Sequence, residues 1–465
     1  MTAQHLTPYE NVLDTIGWTP LIRLSRIGAG LRTPIYGKAE YANPGGSVKD
    51  RIGLAMIEAA EQSGALKAGG VIVEGTSGNT GVGLAIAAAL RGYRCIFTLP
   101  DKMSQEKVRL LRAYGAEVVV TPTAVPADHP DNYIMKAKQI VHDTPGAILA
   151  NQHYNQVNPE AHYKTTGPEI WQQTSGKVTH FVAGAGTGGT ISGAGKYLKE
   201  KNPKVRIIAG DPVGSLVTEY ARTGVMAQGS GAPYKVEGIG GDKVSSTIWF
   251  DTIDEWRQAT DRVSMMMARR LAREEGILVG GSAGLNVAVA LDIARELDDP
   301  DACVVTILCD TGERYLSKVF NDDWMQENQL LDRPQATVEQ LLLQRRPSSA
   351  PALVQVAPAA AVRQALNLMS SWEVSQIPVI ENGETVGGLV ESALMTRALA
   401  QPSLLDRPVR EVMDPPFPVV EHTFPTDRLA PMLTRESPAA LVRKDGTLIG
   451  IVSRYDVLQQ LIGTR

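Results

Sequence analysis

Gly70-Val71-Ile72-Val73-Glu74, followed by Gly75-Thr76-Ser77-Gly78-Asn79-Thr80-Gly81 and then by Val82 to Leu90 and Cys95 to Leu99, is the stretch that decides the fold. The first run is short and β-branched and closes on a glycine turn. Val82 to Leu90 is alanine-rich with small apolar residues all round, and Cys95 to Leu99 is apolar again. Strand, buried helix and strand make one βαβ unit. The alternation returns at Val178 to Ala183, Ile191 to Lys201, Val205 to Ala209, Val263 to Glu275 and Val304 to Leu308, and persists to about Trp324. An α/β fold is predicted, with two open, mostly parallel sheets covered by helices.

The character shifts beyond Leu331. Arg345-Arg346-Pro347-Ser348-Ser349-Ala350-Pro351 reads as a polar, proline-marked connector, and the chain beyond it repeats internally. Ile377-Pro378-Val379-Ile380-Glu381-Asn382-Gly383-Glu384-Thr385-Val386-Gly387 superposes without gaps on Ala440-Leu441-Val442-Arg443-Lys444-Asp445-Gly446-Thr447-Leu448-Ile449-Gly450. Each copy predicts a strand, an Asn-Gly or Asp-Gly hairpin turn, a second strand and a helix. The expected organisation is a core over 1–330, a connector over 331–351, and repeat copies over 352–402 and 407–465. Two such copies resemble a tandem CBS-domain pair, or Bateman module, which is known for binding adenine nucleotides or adenosyl ligands. A purely structural repeat that packs subunits together is the competing reading.

Composition bounds the function. A chain of 465 residues is too long for one ordinary domain, and 43% hydrophobic with 21% charged residues is a globular balance. The net charge of −4 gives no basic footprint for nucleic acid or anionic membrane, so small-molecule ligands are expected. Met1 to Asn11 has no charged segment leading into an apolar one, and no apolar run approaches the ~20 residues that span a bilayer. A cytoplasmic location is expected. Cys303 and Cys309 lie in one strand-like run, roughly 20 Å apart at ~3.3 Å per residue, too far for a disulfide. The seven histidines are scattered without metal-ligand spacing, so no metal is expected.

The chemistry starts at Asn43-Pro44-Gly45-Gly46-Ser47-Val48-Lys49-Asp50-Arg51, which delivers one lysine on a glycine-softened turn into the start of an apolar helix over Ile52 to Ala60. A lysine amine condenses with an aldehyde only when deprotonated, and burial lowers its pKa to that end. Gly186-Thr187-Gly188-Gly189-Thr190 sits between a strand and a helix. There, backbone amides converge on an anion at the helix N-terminus, and Thr187 and Thr190 add hydroxyls. Gly184-Ala185-Gly186-Thr187-Gly188-Gly189 also matches GxGxxG, with Asp211 at the end of the next strand, so a dinucleotide site competes on this region alone. The second anion loop, Thr76 to Thr80, has no place in a simple dinucleotide fold but suits an amino-acid carboxylate. Together the three segments favour pyridoxal phosphate.

GGSVKDRI, EGTSGNTGVGLA, GTGGT and GGSAG, in that order, resemble the fold-type II pyridoxal phosphate enzymes of the cystathionine β-synthase and O-acetylserine sulfhydrylase branch. The resemblance covers the first ~325 residues. Val236-Glu237-Gly238-Ile239-Gly240 is similar to the synthase loop, and Cys309-Asp310-Thr311-Gly312-Glu313-Arg314-Tyr315 to the segment that closes the catalytic core. The attached repeat pair strengthens the likeness to the synthase side of the branch.

The resemblance implies that Lys49 carries the cofactor as the internal Schiff base and that Asn79 hydrogen-bonds the ring hydroxyl. Gly186, Thr187, Gly188, Gly189 and Thr190 would hold the phosphate, and Ser282, in Gly280-Gly281-Ser282-Ala283-Gly284, would meet the pyridine nitrogen. A neutral hydroxyl there moderates the electron sink and suits β-elimination. Thr76, Ser77, Thr80 and Gln152 would bind the substrate carboxylate, with Glu237 and Gly238 also at the substrate. The implied reaction is a lyase-type β-replacement that condenses L-serine with L-homocysteine to L-cystathionine and water, a transsulfuration step of cysteine biosynthesis. Cysteine in place of serine would release hydrogen sulfide.

Departures temper these implications. The N-terminal extension that carries haem in the animal enzymes is missing and no CxxC occurs, so no haem is expected. Gly241 stands where the animal enzymes place a tyrosine, which leaves the geometry at the thiol substrate open. In the repeat, Ser453 and Asp456 keep the hydroxyl and carboxylate that such modules use on a ribose, whereas Val390 and Ala393 occupy those places in the first copy. At most one adenosyl-ligand site is expected. The alternatives are an O-acetylserine or O-phosphoserine sulfhydrylase and, more distantly, a non-catalytic adenosyl-ligand sensor or a dehydrogenase. A homodimer or homotetramer is the assembly the resemblance implies.

Overall fold

The computed structural model describes residues 8–463 apart from 77, 102, 104, 124, 127–128, 227–230, 332–335, 345–350 and 436, with backbone alone at 344 and 460–463. The chain forms two compact units, Met1–Asp332 and Arg333–Arg465.

The strands of the first unit begin with β1 (Leu21–Arg23), β2 (Ile35–Ala39), β3 (Val71–Gly75), β4 (Arg94–Pro100) and β5 (Glu117–Thr121). They continue with β6 (Ala147–Leu149), β7 (His180–Gly184), β8 (Arg206–Pro212), β9 (Glu255–Ala259) and β10 (Val304–Leu308). One sheet has the order β1-β2-β10-β7-β8-β9, parallel except at its antiparallel β1–β2 edge. The other, β5-β4-β3-β6, is parallel throughout. Two open, mostly parallel sheets are therefore what the alternation foretold.

The βαβ unit is β3, the helix Asn79–Arg91 and β4, and every residue from Thr80 to Ala88 is buried. Small residues on that helix let a second helix, Lys49–Gln62, cross it closely. A Cβ on Gly53 would lie 2.3 Å from the Gly83 carbonyl carbon, and one on Gly83 would lie 2.6 Å from the Lys49 carbonyl oxygen. No side chain larger than hydrogen fits at either position. The crossing brings the first turns of the two helices, and so Lys49 and Asn79, side by side.

The sequence pattern did not mark β1, β2, β5, β6 or β9. β6 has three residues, and β9, Glu-Trp-Arg-Gln-Ala, is polar and lies at a sheet edge. Edge strands bond on one side only and need no continuous apolar run. The helix expected over Val263 to Glu275 is α-helical over Asp261–Arg270 and ends in a π-turn, Leu271–Glu275.

In the second unit the repeat is structural. β11 (Gln376–Glu381) and β12 (Glu384–Val390) pair antiparallel with a register shift between Val379 and Ile380, and the helix Glu391–Ala400 follows. After β13 (Val419–Glu421), β14 (Ala439–Lys444) and β15 (Thr447–Ser453) pair antiparallel with a shift at the matching place, between Val442 and Arg443. The helix Arg454–Gly463 follows. Asn382-Gly383 and Asp445-Gly446 all take positive φ, as the two hairpin turns require.

The expected connector over 331–351 differs in one part. Residues Val338–Gln344 form a helix, and Val338 and Leu341 are buried with Val420, Leu429 and Leu433 in the core of the second unit. These apolar contacts, with Leu342 packed beside them, outweigh the polar character of the surrounding sequence. Arg345 to Ala350 lie outside the described residues.

Candidate active site

The turn Asn43 to Val48 is pinned from both sides before it reaches the lysine. Val48 N donates to Cys309 O at 2.9 Å, Thr311 N donates to Gly46 O at 3.0 Å, and Gly46 takes φ +73°. Lys49 then opens its helix. Its amine has no hydrogen-bond or ion-pair partner among the described residues. Burial lowers its pKa, against the opposing influence of Cys309, Asp310 and Glu40. Burial also pushes the Cys309 thiol up to about 12, so at neutral pH that thiol is uncharged and the amine is left to Asp310 and Glu40.

Behind the lysine lies a buried ionic cluster. Arg51 donates from Nε to Glu40 at 2.7 Å and from Nη1 to Glu169 at 2.6 Å, and Lys38 pairs with Glu169 at 2.6 Å. Burial would raise the Glu40 carboxyl, but Arg51 overrides it and holds the group at about 2. Each charge has a partner, which is the condition on which buried ions persist.

The first anion cradle follows β7. The amides of Gly186, Thr187 and Gly188 have no partner among the described residues, and they precede the 13-residue helix Gly189–Lys201. A Cβ on Gly186 would meet Gly238 O at 2.4 Å, so the loop passes against the Glu237–Gly238 backbone. Thr187 Oγ1 accepts from Asn158 Nδ2 at 2.9 Å and keeps its own hydrogen for an anion. Thr190 Oγ1 lies 3.2 Å from His162 Nε2, and burial drives that histidine down to about 3, so it is neutral.

The second cradle follows β3. Thr76 Oγ1 accepts from Gly78 N at 3.0 Å, and Thr80 Oγ1 donates to Gln152 Oε1 at 2.6 Å. Gln152 itself is held by Glu74, whose carboxylate accepts from the amides of Asn151 at 2.6 Å and Gln152 at 3.2 Å. Asn151 sits at φ +59°, a conformation that turns consecutive amides toward one anion. Ser77 lies outside the described residues.

Lys49 lies within electrostatic reach of both cradles. After burial, its charge is the next cause that lowers His153, beside Gln152, to about 4, and it also acts on His162, beside Thr190.

Asn79 donates from Nδ2 to Asp310 Oδ2 at 2.6 Å and accepts at Oδ1 from Arg314. Ser282 lies buried in the first turn of the 17-residue helix Gly281–Leu297, and the backbone carbonyl of Cys309 accepts from Val48 on the lysine turn. Glu237 is clamped by Lys107 at 2.5 Å and Lys318 at 2.7 Å. Burial would raise it, and the two ammonium groups hold it ionised below its ordinary range. In the second unit Ser453 N and Oγ both donate to Asp456 Oδ2 at 2.6 Å, which caps the final helix.

The residues fit pyridoxal phosphate. A desolvated amine without a partner, three unpaired amides at a helix start and a neutral hydroxyl at a second helix start are the groups that an aldehyde, a phosphate and a pyridine nitrogen require. Asp211 does not serve a dinucleotide ribose: it is fully buried and its Oδ2 accepts from Thr218 N at 3.1 Å and Thr218 Oγ1 at 2.6 Å. Among the described residues no group of three or more His, Cys, Asp or Glu could hold a metal ion, and no helix is long and apolar enough to cross a membrane. Sequence reading assigned no role to Glu74, Lys107, Asn158, Asp310, Arg314, Tyr315 or Lys318. Asp310 to Tyr315 stood inside a recognised segment, but nothing in the chain marks its contact with Asn79.

The sequence pattern described as "Pyridoxal-phosphate dependent enzyme" matches residues 12–310, and that described as "CBS domain" matches residues 409–463. The chain is 38% identical over 468 residues to the cystathionine beta-synthase of Oryctolagus cuniculus, covering 96% of this chain and 84% of that one. It is 36% identical over 465 residues to that of Dictyostelium discoideum, covering 97% and 92%. Among solved structures, the O-acetylserine dependent cystathionine beta-synthase from Helicobacter pylori has a TM-score of 0.62 and 36% identity over 67% of this chain and 98% of that one. A hydrogen sulfide-producing enzyme from Fusobacterium nucleatum has a TM-score of 0.62 and 36% identity over 66% and 100%. The chain belongs to the pyridoxal-phosphate dependent enzymes, in the cystathionine β-synthase family.

Proposed function

We propose that the protein joins L-serine to L-homocysteine, the homocysteine sulfur replacing the serine β-hydroxyl to give L-cystathionine and water. The observation that carries this reading is the unpartnered Lys49 amine at the start of a helix that crosses the helix opening at Asn79, which follows the Thr76 to Thr80 cradle. When bound, pyridoxal phosphate supplies the electron sink that acidifies the substrate Cα proton.

The chain's own groups do the rest. Thr76, Thr80 and Gln152, together with Ser77, hold the serine carboxylate, and the loop from Gly186 to Thr190 holds the phosphate. The Nζ of Lys49 takes the Cα proton and passes a proton to the β-oxygen, which leaves as water. The homocysteine sulfur then bonds to Cβ, its thiol proton goes to Lys49, and Lys49 returns a proton to Cα. Glu237, held ionised, and Gly238 stand on the side of the second amino acid. Cysteine in place of serine would leave hydrogen sulfide as the departing group.

A sulfhydrylase that takes O-acetylserine and sulfide is the second reading; the solved Helicobacter pylori relative is described as O-acetylserine dependent but as a cystathionine beta-synthase, so it bears on the leaving group alone. The two readings part in one experiment: the purified protein with L-serine plus L-homocysteine, beside O-acetylserine plus sulfide, with Lys49→Ala as control. Cystathionine formed from the first pair and lost in the control supports the synthase. Cysteine formed from the second pair, with homocysteine ignored, makes the protein a sulfhydrylase.

We place the protein in the cytoplasm as a homodimer or homotetramer, and assign residues 352–402 and 407–465 as two CBS copies. One adenosyl ligand would take Ser453 and Asp456, displacing the Ser453–Asp456 hydrogen bonds as it binds. Isothermal titration with S-adenosylmethionine and sedimentation of the full chain test these.

A further inference from the structure

The groups that decide how Asn79 stands are Asp310 and Arg314. A carboxamide has one acceptor oxygen and two N–H donors. Here the oxygen accepts from Arg314 and one N–H goes to Asp310 Oδ2 at 2.6 Å. Flipping the amide would set its oxygen against the carboxylate and its NH2 against the guanidinium, so the orientation is fixed. The second N–H is thereby aimed without any choice left to the side chain.

Asp310 is itself over-determined. It is fully buried, its backbone bridges Ser47 on the lysine turn, and its Oδ2 also accepts from Tyr315 Oη at 2.7 Å. The Tyr315 ring lies 4.6 Å from Lys107 Nζ, and Lys107 is the partner of Glu237. Asp310 Oδ1 has no hydrogen-bond partner among the described residues and faces Gly280, where a Cβ would lie 2.6 Å from it, at the start of the helix that carries Ser282. One residue therefore touches the segments that carry Lys49, Asn79 and Ser282, the first through its backbone and the others through its carboxylate, and through Tyr315 and Lys107 it reaches Glu237.

We propose that Asp310 is a positioning residue of the cofactor site: it sets the Asn79 amide so that its free N–H meets the ring hydroxyl of pyridoxal phosphate, and Tyr315 steadies the carboxylate that does so. This rests on the pyridoxal phosphate reading of the site. Asp310 touches neither substrate nor reacting atom, so its removal acts on how the cofactor is held before it acts on turnover.

The test uses the full-length protein, stripped of cofactor and titrated with pyridoxal phosphate, as wild type, Asp310→Ala, Asp310→Asn and Tyr315→Phe. Asp310→Ala is expected to weaken binding about tenfold, the scale of one hydrogen bond to a charged group, and to shift the visible band of the bound cofactor. Asp310→Asn, whose oxygen can still accept, should recover most of the affinity, and Tyr315→Phe should move affinity and band less but in the same direction. Wild-type affinity with an unshifted band in Asp310→Ala, whatever its melting temperature, overturns the proposal. Should Asp310→Ala not fold, unchanged affinity and band in both Asp310→Asn and Tyr315→Phe overturn it equally. A wild-type protein that develops no yellow band would instead sink the cofactor reading beneath it.

Discussion

Thr80 Oγ1 donates to Gln152 Oε1 over 2.6 Å although the two residues are 72 positions apart. One stands at the start of the helix after β3, the other in the loop after β6, which is the neighbour of β3 in the same parallel sheet. Parallel pairing puts the carboxyl ends of adjacent strands together, and that is why two loops remote in sequence build one cradle.

That pair should act as a unit. Thr80→Val and Gln152→Ala are each expected to raise KM for serine more than they lower kcat. Their double mutant should lose less than the sum, with a coupling on the order of 1 kcal/mol. Steady-state kinetics on the four proteins checks it, and strict additivity would show that the hydrogen bond has no part in substrate binding.

The Glu237 clamp predicts a second asymmetry. Lys107→Met removes one of two cations from a carboxylate that burial pushes toward its neutral form. The variant should need more homocysteine for half-maximal rate, increasingly so as pH falls, while its affinity for serine stays near wild type. A loss that falls equally on both substrates would argue against this placement of Glu237.

Two buried carboxyls make stability depend on pH in an unusual direction. Burial pushes Asp50 up to about 7 against the Gly45 amide, and Glu74 up to about 7 against the amides of Asn151 and Gln152. Both sit above their ordinary values of 3.8 and 4.5, so the folded state holds protons that the unfolded chain releases. Their contribution is therefore complete below about pH 4 and is lost as pH rises through 7, at up to about 1.4 kcal/mol per pH unit for each group. Denaturant unfolding between pH 5 and 8 should show this decline, and Glu74→Gln should flatten it.

The ionic cluster behind the lysine predicts a large loss on a single change. Arg51→Met leaves Glu40 buried with its main partner gone and strips one of two cations from Glu169. Removing one member of a buried pair costs about 3–5 kcal/mol. A melting curve shifted by no more than a surface mutation shifts it would contradict the account.

The sequence carried a great deal here, because its signals are local. A β-branched run, an all-round small helix and a glycine turn report their own structure, and so Val71 to Pro100 and the two hairpins with Asn382-Gly383 and Asp445-Gly446 were legible. Lys49 and the loops from Thr76 to Thr80 and from Gly186 to Thr190 stood out for the same reason, since each leads into a helix through residue types that are unusual there, whereas Asn79 and Ser282 were assigned roles only by the family resemblance.

Other features were not local. β9 is polar because only one of its edges is bonded, and the helix Val338–Gln344 looked like a connector because only a short apolar group, Val338, Leu341 and Leu342, anchors it. Glu74, Asp310 and Lys107 are ordinary charged residues until the sheets bring Gln152, Asn79 and Glu237 against them. The residue types that can bind a cofactor were set by the chain itself. Which hydrogen each one presents was decided only when strands distant in sequence paired, since burial makes every polar group find a partner and the partner fixes its direction.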